Sequence, residues 1–133
     1  MKTTVLDASA LLALLFDEPG AEKVENLLHQ AAEADKPMYI SAVNWAEVLY
    51  KMQHKHGVQG LDGVRQFERT MPLVVEPLDA QLAESAAGLK VTHNLGLADA
   101  FAAALARHKK AELVTADTEF KTVENEIKIN WLK

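Results

Sequence analysis

The amino-acid sequence predicts an α/β protein, a three-layer α/β/α sandwich with a central parallel sheet. Short apolar segments typical of buried strands alternate with longer segments whose apolar residues recur at helical spacing. Strands that alternate with helices are joined by right-handed crossovers, which makes the strands parallel and places helices on both faces of the sheet. A length of 133 residues fits a single domain, 1–133, that can bury a core without a disulfide or structural metal.

The first third of the chain is predicted to contain one strand and two helices. Residues 3–7 are typical of a short buried strand, and the apolar run 10–16 is predicted to be helical and to stop near Pro19 and Gly20. Residues 21–34 are predicted to form an amphipathic helix with one buried face. Its apolar positions are Val24, Leu27, Leu28 and Ala31.

The middle third is predicted to contain two strands and two helices. Pro37 precedes a strand at residues 38–41, and a helix follows from about residue 43 to 54. Gly57 ends this helix, and a second helix is expected over residues 58–69. The third strand is expected at residues 73–76.

The last third is predicted to contain two helices and two strands. Asp79 is a good N-cap for a helix that runs to about His93, because its side chain can accept from the free N–H groups of the first turn. Residues 94–96 then break the chain, and an alanine-rich helix is expected over residues 97–109. The remaining elements are a strand at 112–115, a turn at 117–120 and a strand around 127–131.

The composition excludes several kinds of chemistry. The chain has no cysteine, so a disulfide framework, a catalytic thiol and a cysteine zinc site are ruled out. A small-residue triplet at 8–10 precedes the apolar run 10–16 instead of following it, which argues against a signal peptide. That run is also far shorter than the roughly 20 residues that span a membrane. We therefore expect a soluble cytoplasmic protein.

Four acidic residues are expected to meet at one edge of the sheet. Asp7 ends the first strand and Asp117 follows the fourth, so both belong at the carboxyl edge, where open parallel sheets bind ligands. Asp99 joins them from a helix N-terminus, whose dipole favours its charged form, and Glu47 must reach in from the side of its helix. Clustered carboxylates repel unless a cation neutralises them. Oxygen ligands without cysteine suit Mg²⁺ or Mn²⁺ better than zinc.

The net charge of −5 alone argues against a general binder of nucleic acid, whose affinity rests on Lys and Arg. Without the four carboxylates the net charge would be −1, and divalent cations would offset the acids themselves. An acidic protein can therefore take a nucleic-acid substrate if metal ions contact the phosphates.

Taken singly, each of these acids has an ordinary structural explanation. An Asp after a strand, such as Asp7 or Asp117, is often a turn former or a helix cap. Asp99 would be an acid at a helix start, and Glu47 an exposed helix residue. Their joint placement in the predicted fold is what favours a site, whereas Asp79 is interpreted as a cap only.

Four short segments carry these acids. They read Val-Leu-Asp-Ala-Ser around Asp7, Asn-Trp-Ala-Glu-Val-Leu around Glu47, Leu-Ala-Asp-Ala-Phe-Ala around Asp99 and Leu-Val-Thr-Ala-Asp-Thr-Glu-Phe around Asp117. Each motif alone is weak. In this order and at these separations they resemble the PIN-domain ribonucleases, specifically the VapC-type toxins of prokaryotic toxin–antitoxin pairs, over essentially the whole chain.

The resemblance implies an endoribonuclease that depends on Mg²⁺ or Mn²⁺ and is neutralised by a cognate antitoxin protein encoded beside it. The four acids stand at the acidic positions of the family, where they would hold the metal and carry the catalysis of RNA hydrolysis. Ser9 and Thr115 match hydroxyl positions beside the acids, where they would orient a ligand or its water.

Two further surfaces are predicted. His54 and His56 are two apart on a helix and face different directions, so they are interpreted as solvated cations that could, with Lys51 and Lys55, help hold an RNA backbone. A homodimer is also expected, because VapC-like toxins commonly dimerise. The apolar run 10–16 and the helix bearing Leu27 and Leu28 are expected to supply its surface.

Other functions stay open at this point. A phosphoacceptor domain would need an acidic pair after the first strand, where Asp7 stands alone, and a haloacid-dehalogenase-like phosphatase would carry Asp where this chain has Ser9. A non-catalytic PIN-like binding module would keep the fold and the metal site for partner recognition only. Assays of RNA cleavage with and without Mg²⁺ separate these alternatives.

Overall fold

A computed structural model describes residues 2–132, in which five strands form one parallel sheet. The order of the strands across the sheet is β3-β2-β1-β4-β5, and each neighbouring pair is parallel. This arrangement confirms the predicted α/β class. The strands are β1 (Thr4–Leu6), β2 (Met38–Ser41), β3 (Leu73–Glu76), β4 (Glu112–Thr115) and β5 (Ile129–Trp131).

Five α-helices connect the strands, and a short 3₁₀ helix at Thr118–Val123 precedes β5. The α-helices are α1 (Ala8–Leu15), α2 (Ala21–Glu33), α3 (Ala42–Thr70), α4 (Ala80–His93) and α5 (Leu97–His108). Asp7 and Asp79 cap α1 and α4 by accepting hydrogen bonds from backbone N–H groups three residues on. The cap at Asp7 explains why α1 begins at Ala8, two residues earlier than predicted.

The two helices predicted around Gly57 are joined into α3 with a kink. Gly57 has φ 68° and ψ −158°, which lies outside the helical region and favours glycine. The break was therefore predicted correctly, but the chain resumes its helix directly after it. The first half of α3 lies beside α1, which brings it close to the ends of β1 and β4.

Helices cover both faces of the sheet, as the three-layer prediction requires. Val5 points into a core formed with α4 and α5, and its neighbour Leu6 points into a second core formed with α1, α2 and α3. Both side chains are fully buried. Because successive strand residues face opposite sides, a sheet of this kind needs a helical layer on each face.

The segments predicted to supply a dimer surface are divided between the core and the surface. Leu11, Leu12 and Leu28 are buried and pack in the core with α1 and α2. Phe16 and Leu27 are only partly buried, so a dimer on these segments stays a prediction. Large apolar side chains are exposed elsewhere, among them Val91 at 86% and Leu97 at 56%.

Across residues 2–132, every helix is too short or too polar to cross a membrane.

Candidate metal centre

The carboxyl ends of β1 and β4 place two of the predicted acids at the same edge of the sheet. Leu6 pairs with Val114 in the parallel register, and the N–H of Asp7 donates to the carbonyl of Val114 at 3.3 Å. Asp7 and Asp117 therefore leave neighbouring strands side by side. The charge of Asp117 is among the causes that shift the pKa of Asp7.

Asp7 is buried, with only 2% of its surface exposed, and its carboxylate accepts from three groups. Its Oδ1 accepts from the N–H of Ala10 at 2.9 Å. The hydroxyl of Ser9 lies 2.8 and 2.9 Å from the two carboxylate oxygens, and the hydroxyl of Thr115 donates to Oδ2 at 2.6 Å. The two hydroxyl residues singled out in the sequence thus contact Asp7 directly.

The two hydroxyl groups also link the segment that follows β1 to the segment that follows β4. Because both hydroxyl hydrogens go to Asp7, their oxygens are left as acceptors. Ser9 Oγ accepts from the N–H of Ala116 at 3.1 Å, and Thr115 Oγ1 accepts from the N–H of Asp117 at 2.9 Å. Two hydroxyl groups therefore connect the carboxylate of Asp7 to the backbone around Asp117.

Burial raises the pKa of Asp7 from 3.8 to about 6, although the hydrogen bonds from Thr115, Ala10 and Ser9 act in the opposite direction. The negative charge of Asp117 adds to the increase. Taking a carboxylate out of water disfavours its charged form unless a cation compensates. A bound cation would thus stabilise the charged form of Asp7.

A second group of acids lies beside Asp7. The carboxylates of Asp99, Asp117 and Glu119 each offer an oxygen, and these oxygens lie within 4.8 Å of one another. Burial raises the pKa of Asp99 to about 7, helped by the charge of Asp117, a hydrogen bond between these two carboxyl groups and the charges of Asp7 and Glu119. The site therefore concentrates negative charge.

The raised pKa of Asp99 is the opposite of what was expected from the dipole of α5, which favours the ionised carboxylate. Asp99 does lie in the first turn of α5, as predicted. A helix dipole favours the charged form by about 1 kcal/mol or less at an exposed position. Burial and neighbouring negative charges outweigh this effect when no cation is bound.

Sequence reasoning did not select Glu119 as a member of the acidic group. Glu119 is exposed and follows Asp117 by two residues in the 3₁₀ helix. Its N–H donates to Asp117 Oδ1 at 2.9 Å, which turns the chain tightly enough to bring the two carboxylates together. The repeated acid in the segment Asp-Thr-Glu was the signal that could have found it.

Glu47, the fourth predicted acid, is bonded to a lysine on its own helix. Its Oε2 lies 2.8 Å from Lys51 Nζ, an i,i+4 ion pair on α3. Glu47 and Asp7 are both outside the group of three carboxylates that share the 4.8 Å distance, but the charge of Asp7 is close enough to raise the pKa of Asp99. The structure thus brings Asp7, Asp99 and Asp117 together and leaves Glu47 paired at the side.

Asn44 is a second residue whose place in the site was not anticipated. It is buried in the first turn of α3, where its N–H donates to Ser41 Oγ at 3.1 Å. Its side-chain amide donates to the carbonyl of Ala98 at 3.1 Å. Because Ala98 precedes Asp99, this bond ties the helix of Glu47 to the start of α5.

These residues fit a divalent cation of the hard type. The clustered donors are carboxylate oxygens, which suit Mg²⁺ and Mn²⁺. Burial first, and neighbouring negative charge second, raise the pKa of Asp99 to about 7, and a bound cation would oppose both effects. The carboxylates whose oxygens lie close together are those of Asp99, Asp117 and Glu119, and the buried Asp7 is near them.

Comparison with known families agrees with this geometry. A sequence model of the PIN domain matches residues 4–126, which include all four predicted acids and Glu119. The chain belongs to the PIN domain family. A search of curated proteins found no matching sequence.

Several solved structures share the fold of this PIN domain. VapBC2 from Rickettsia felis, bound to a DNA fragment from its promoter, has a TM-score of 0.77 at 20% identity and covers 96% of this chain and 97% of its own. A toxin–antitoxin complex from Klebsiella pneumoniae has a TM-score of 0.74 at 22% identity and covers 98% of both chains.

A third structure of this fold is VapC20 from Mycobacterium tuberculosis, described as a toxin that cleaves the sarcin–ricin loop. It has a TM-score of 0.72 at 20% identity and covers 91% of this chain and 95% of its own. At these identities the likeness establishes the fold of the PIN domain, which is that of VapC toxins.

The first testable consequence concerns pH. In chelator, the PIN domain is expected to become less stable as the pH rises from about 4 to 7. The pKa of Asp7 is 3.8 when unfolded and about 6 when folded, so the folded state binds the extra proton and stability is lost through this window. For Asp7 alone the loss is on the order of 3 kcal/mol. Thermal melting at several pH values measures it.

Asp99→Asn is the matched variant for this measurement, because it removes one of the repelling charges. It is expected to melt higher than wild type in chelator at pH 7.5, and to show a smaller change with pH. A lower melting temperature at that pH would contradict the proposed repulsion and would give Asp99 a stabilising role at the start of α5.

A second consequence concerns the hydroxyl of Thr115. Thr115→Val keeps the shape but removes the donor to Asp7 and the acceptor for the N–H of Asp117. We expect Mn²⁺ affinity to fall about 10-fold or more, as is typical when a residue that orients a ligand is lost. Calorimetric titration with Mn²⁺ measures this, and Thr115→Ser, which keeps a hydroxyl, is the control. Equal affinity in wild type and Thr115→Val would refute the orienting role.

Proposed function

We propose that this PIN domain is an endoribonuclease that depends on Mg²⁺ or Mn²⁺ and acts in the cytoplasm as the toxin of a toxin–antitoxin pair. The observation that carries the proposal is the cluster of carboxylate oxygens of Asp99, Asp117 and Glu119 within 4.8 Å of one another, close to the buried Asp7. Acids that lie this close together repel one another unless a cation neutralises them. Membership of the PIN family and the VapC-like fold support the same function.

In this proposal Asp7, Asp99, Asp117 and Glu47 hold the metal and serve as the catalytic acids. When bound, the metal supplies the acidification of the attacking water and the screening of the phosphate charge. Asp7 is kept in one orientation by Ser9, Thr115 and the N–H of Ala10. No side chain has to attack the phosphate, which is consistent with a chain that lacks cysteine.

Glu47 is the acid that needs the largest adjustment. It approaches from α3, whose position relative to Asp99 is set by the bond from Asn44 to Ala98. Its present partner is Lys51, on the same helix. In this proposal the side chain of Glu47 would leave Lys51 and turn toward the cation or its water.

The test is RNA cleavage with purified protein in Mg²⁺, in Mn²⁺ and in chelator. Cleavage is expected with either metal and is expected to stop in chelator. An RNA that is bound but never cut would favour the alternative, a non-catalytic PIN-like binding module. Cleavage that continues at full rate in chelator would overturn the metal-dependent mechanism.

A homodimer is also proposed, and exposed apolar side chains on α4 and α5 add a second surface to the one first predicted. Val91 of α4 and Leu97 of α5 are exposed at 86% and 56% on either side of the connection between these helices. Exposed apolar surface can belong to an interface. We expect a mass of twice 14.6 kDa at tens of micromolar, measured by sedimentation equilibrium. Val91→Asp is expected to lower it, and a strictly monomeric wild type would refute the dimer.

A further inference from the structure

A groove begins at the acidic site and continues over the first half of α3. Its near half has a volume of about 370 Å³ and is lined by Ser9, Ala116, Phe16 and Lys51, among others. Ser9 contacts Asp7 and accepts from the N–H of Ala116. This end of the groove therefore opens directly beside the buried carboxylate.

The far half of the groove continues from the same two residues, Phe16 and Lys51. It also has a volume of about 370 Å³, and its other lining residues are Tyr50, His54 and Lys55. Tyr50 is 59% exposed. Because both halves are lined by Phe16 and Lys51, they adjoin each other on the surface.

Aromatic rings and cationic groups alternate along this path. Lys55 Nζ lies 4.4 Å from the centre of the Phe16 ring, a cation–π contact that holds the ammonium beside the groove. Lys51 Nζ lies at the junction of the two halves, where it bonds Glu47 through one of its three N–H donors. Two ammonium groups thus stand next to a site that otherwise carries negative charge.

Single-stranded nucleic acid is recognised by this combination of groups. Its phosphates bind cations, and its bases stack on exposed aromatic rings. The exposed ring of Tyr50 offers a stacking surface, and the ammonium groups of Lys51 and Lys55 offer contacts for phosphates. The chemistry of the groove therefore favours RNA over a protein partner.

We propose that single-stranded RNA runs along this groove, with a base stacked on Tyr50 and the neighbouring phosphates bound by Lys51 and Lys55. The proposal rests on the proposed ribonuclease function, since it specifies how the substrate of the same site is held. In this proposal Tyr50, Lys51 and Lys55 of α3 bind the substrate, and the metal-binding acids carry out the hydrolysis.

The first test is the effect of Tyr50 on KM and kcat for cleavage of a short unstructured RNA. Tyr50→Ala is expected to raise KM on the order of tenfold, the usual cost of losing one stacking ring, with kcat unchanged because binding alone is affected. Tyr50→Phe keeps the ring and is expected to behave as wild type. An unchanged KM in Tyr50→Ala would overturn the stacking role.

The second test is the salt dependence of RNA binding, followed by fluorescence anisotropy in chelator so that no cleavage occurs. Lys55→Gln is expected to lower the slope of log K against log salt by about 0.7, the value for one phosphate contact with a single strand. Lys55→Arg is expected to keep the wild-type slope. Arg69→Gln removes an exposed charge from the far end of α3 and is expected to leave the slope unchanged.

The outcomes separate this proposal from the proposed function. If wild type cleaves RNA and Tyr50→Ala and Lys55→Gln bind and cleave it as wild type does, the strand path is wrong and the ribonuclease function stands. If those variants instead lose only the binding of a protein partner, the groove is a protein-docking surface and the strand path is again wrong. If wild type neither binds nor cleaves RNA, both proposals fail.

Discussion

Asp7→Asn is expected to reduce RNA cleavage by roughly 100-fold or more while the protein remains folded. Asn has nearly the shape of Asp and is an equally good N-cap, so it can still accept from the N–H of Ala10 and start α1. It lacks the charge that the proposed cation requires. Removing one preorganised electrostatic group of this kind typically costs a factor of 10² to 10³ in rate.

Asp79→Asn provides a matched control for this variant. Asp79 caps α4 through a 2.8 Å bond from the N–H of Leu82, the same geometry as the 2.9 Å bond between Ala10 and Asp7. The same chemical change at Asp79 is expected to leave cleavage unaffected. Circular dichroism and thermal melting check that both variants fold. If Asp7→Asn were fully active at ordinary Mg²⁺ concentrations, the assignment of the site would be refuted.

Expression of this protein alone is expected to stop growth, and co-expression with the protein encoded beside it is expected to restore growth. The site presents Asp7, Asp99, Asp117 and Glu119 in one place. An antitoxin tail that carries arginine could bind two of these carboxylates in bidentate fashion, because the planar guanidinium matches their geometry. Occupied in this way, the carboxylates would be unable to hold metal.

The purified complex gives the direct test of this mode of inhibition. Arginines in the tail of the partner would be replaced by alanine, and ribonuclease activity would be measured while the mass of the complex is followed. Restored activity in an intact complex supports occlusion of the acids. Activity that stays blocked would show that inhibition works by another route, such as displacement of the helix that carries Glu47. Growth that is unaffected by expression of the protein alone would contradict the toxin function.

The succession of strands and helices could be predicted from local patterns because each element has a strong local signal. Residues 38–41 and 73–76 were placed within the bounds that the structure shows, since short apolar runs after proline have few alternatives. The break at Gly57 was also predicted from glycine alone. That the helix continues after the break was not predictable, because it depends on α3 packing against α1 and on β3.

The order of the strands was not predictable from these patterns. Parallel pairing follows from the alternation of elements, but the placement of β1 between β2 and β4 is decided by which faces pack together. This placement puts Asp7 beside Thr115 and Asp117. The burial of Leu28, by contrast, follows from its place on the apolar face of the helix at residues 21–34.

The fold class and the family motifs could be predicted from the amino-acid sequence, because both depend on residue type and spacing. The same patterns also suggested which acids lie at the carboxyl edge of the sheet. The hydrogen-bond and ion-pair partners of these acids could be known only from the tertiary structure. It encloses Asp7 among hydroxyls, adds Glu119 through a tight turn and pairs Glu47 with Lys51. These contacts join residues up to 108 positions apart, and the burial that raises the pKa of Asp7 and Asp99 exists only once both helical layers have closed on the sheet.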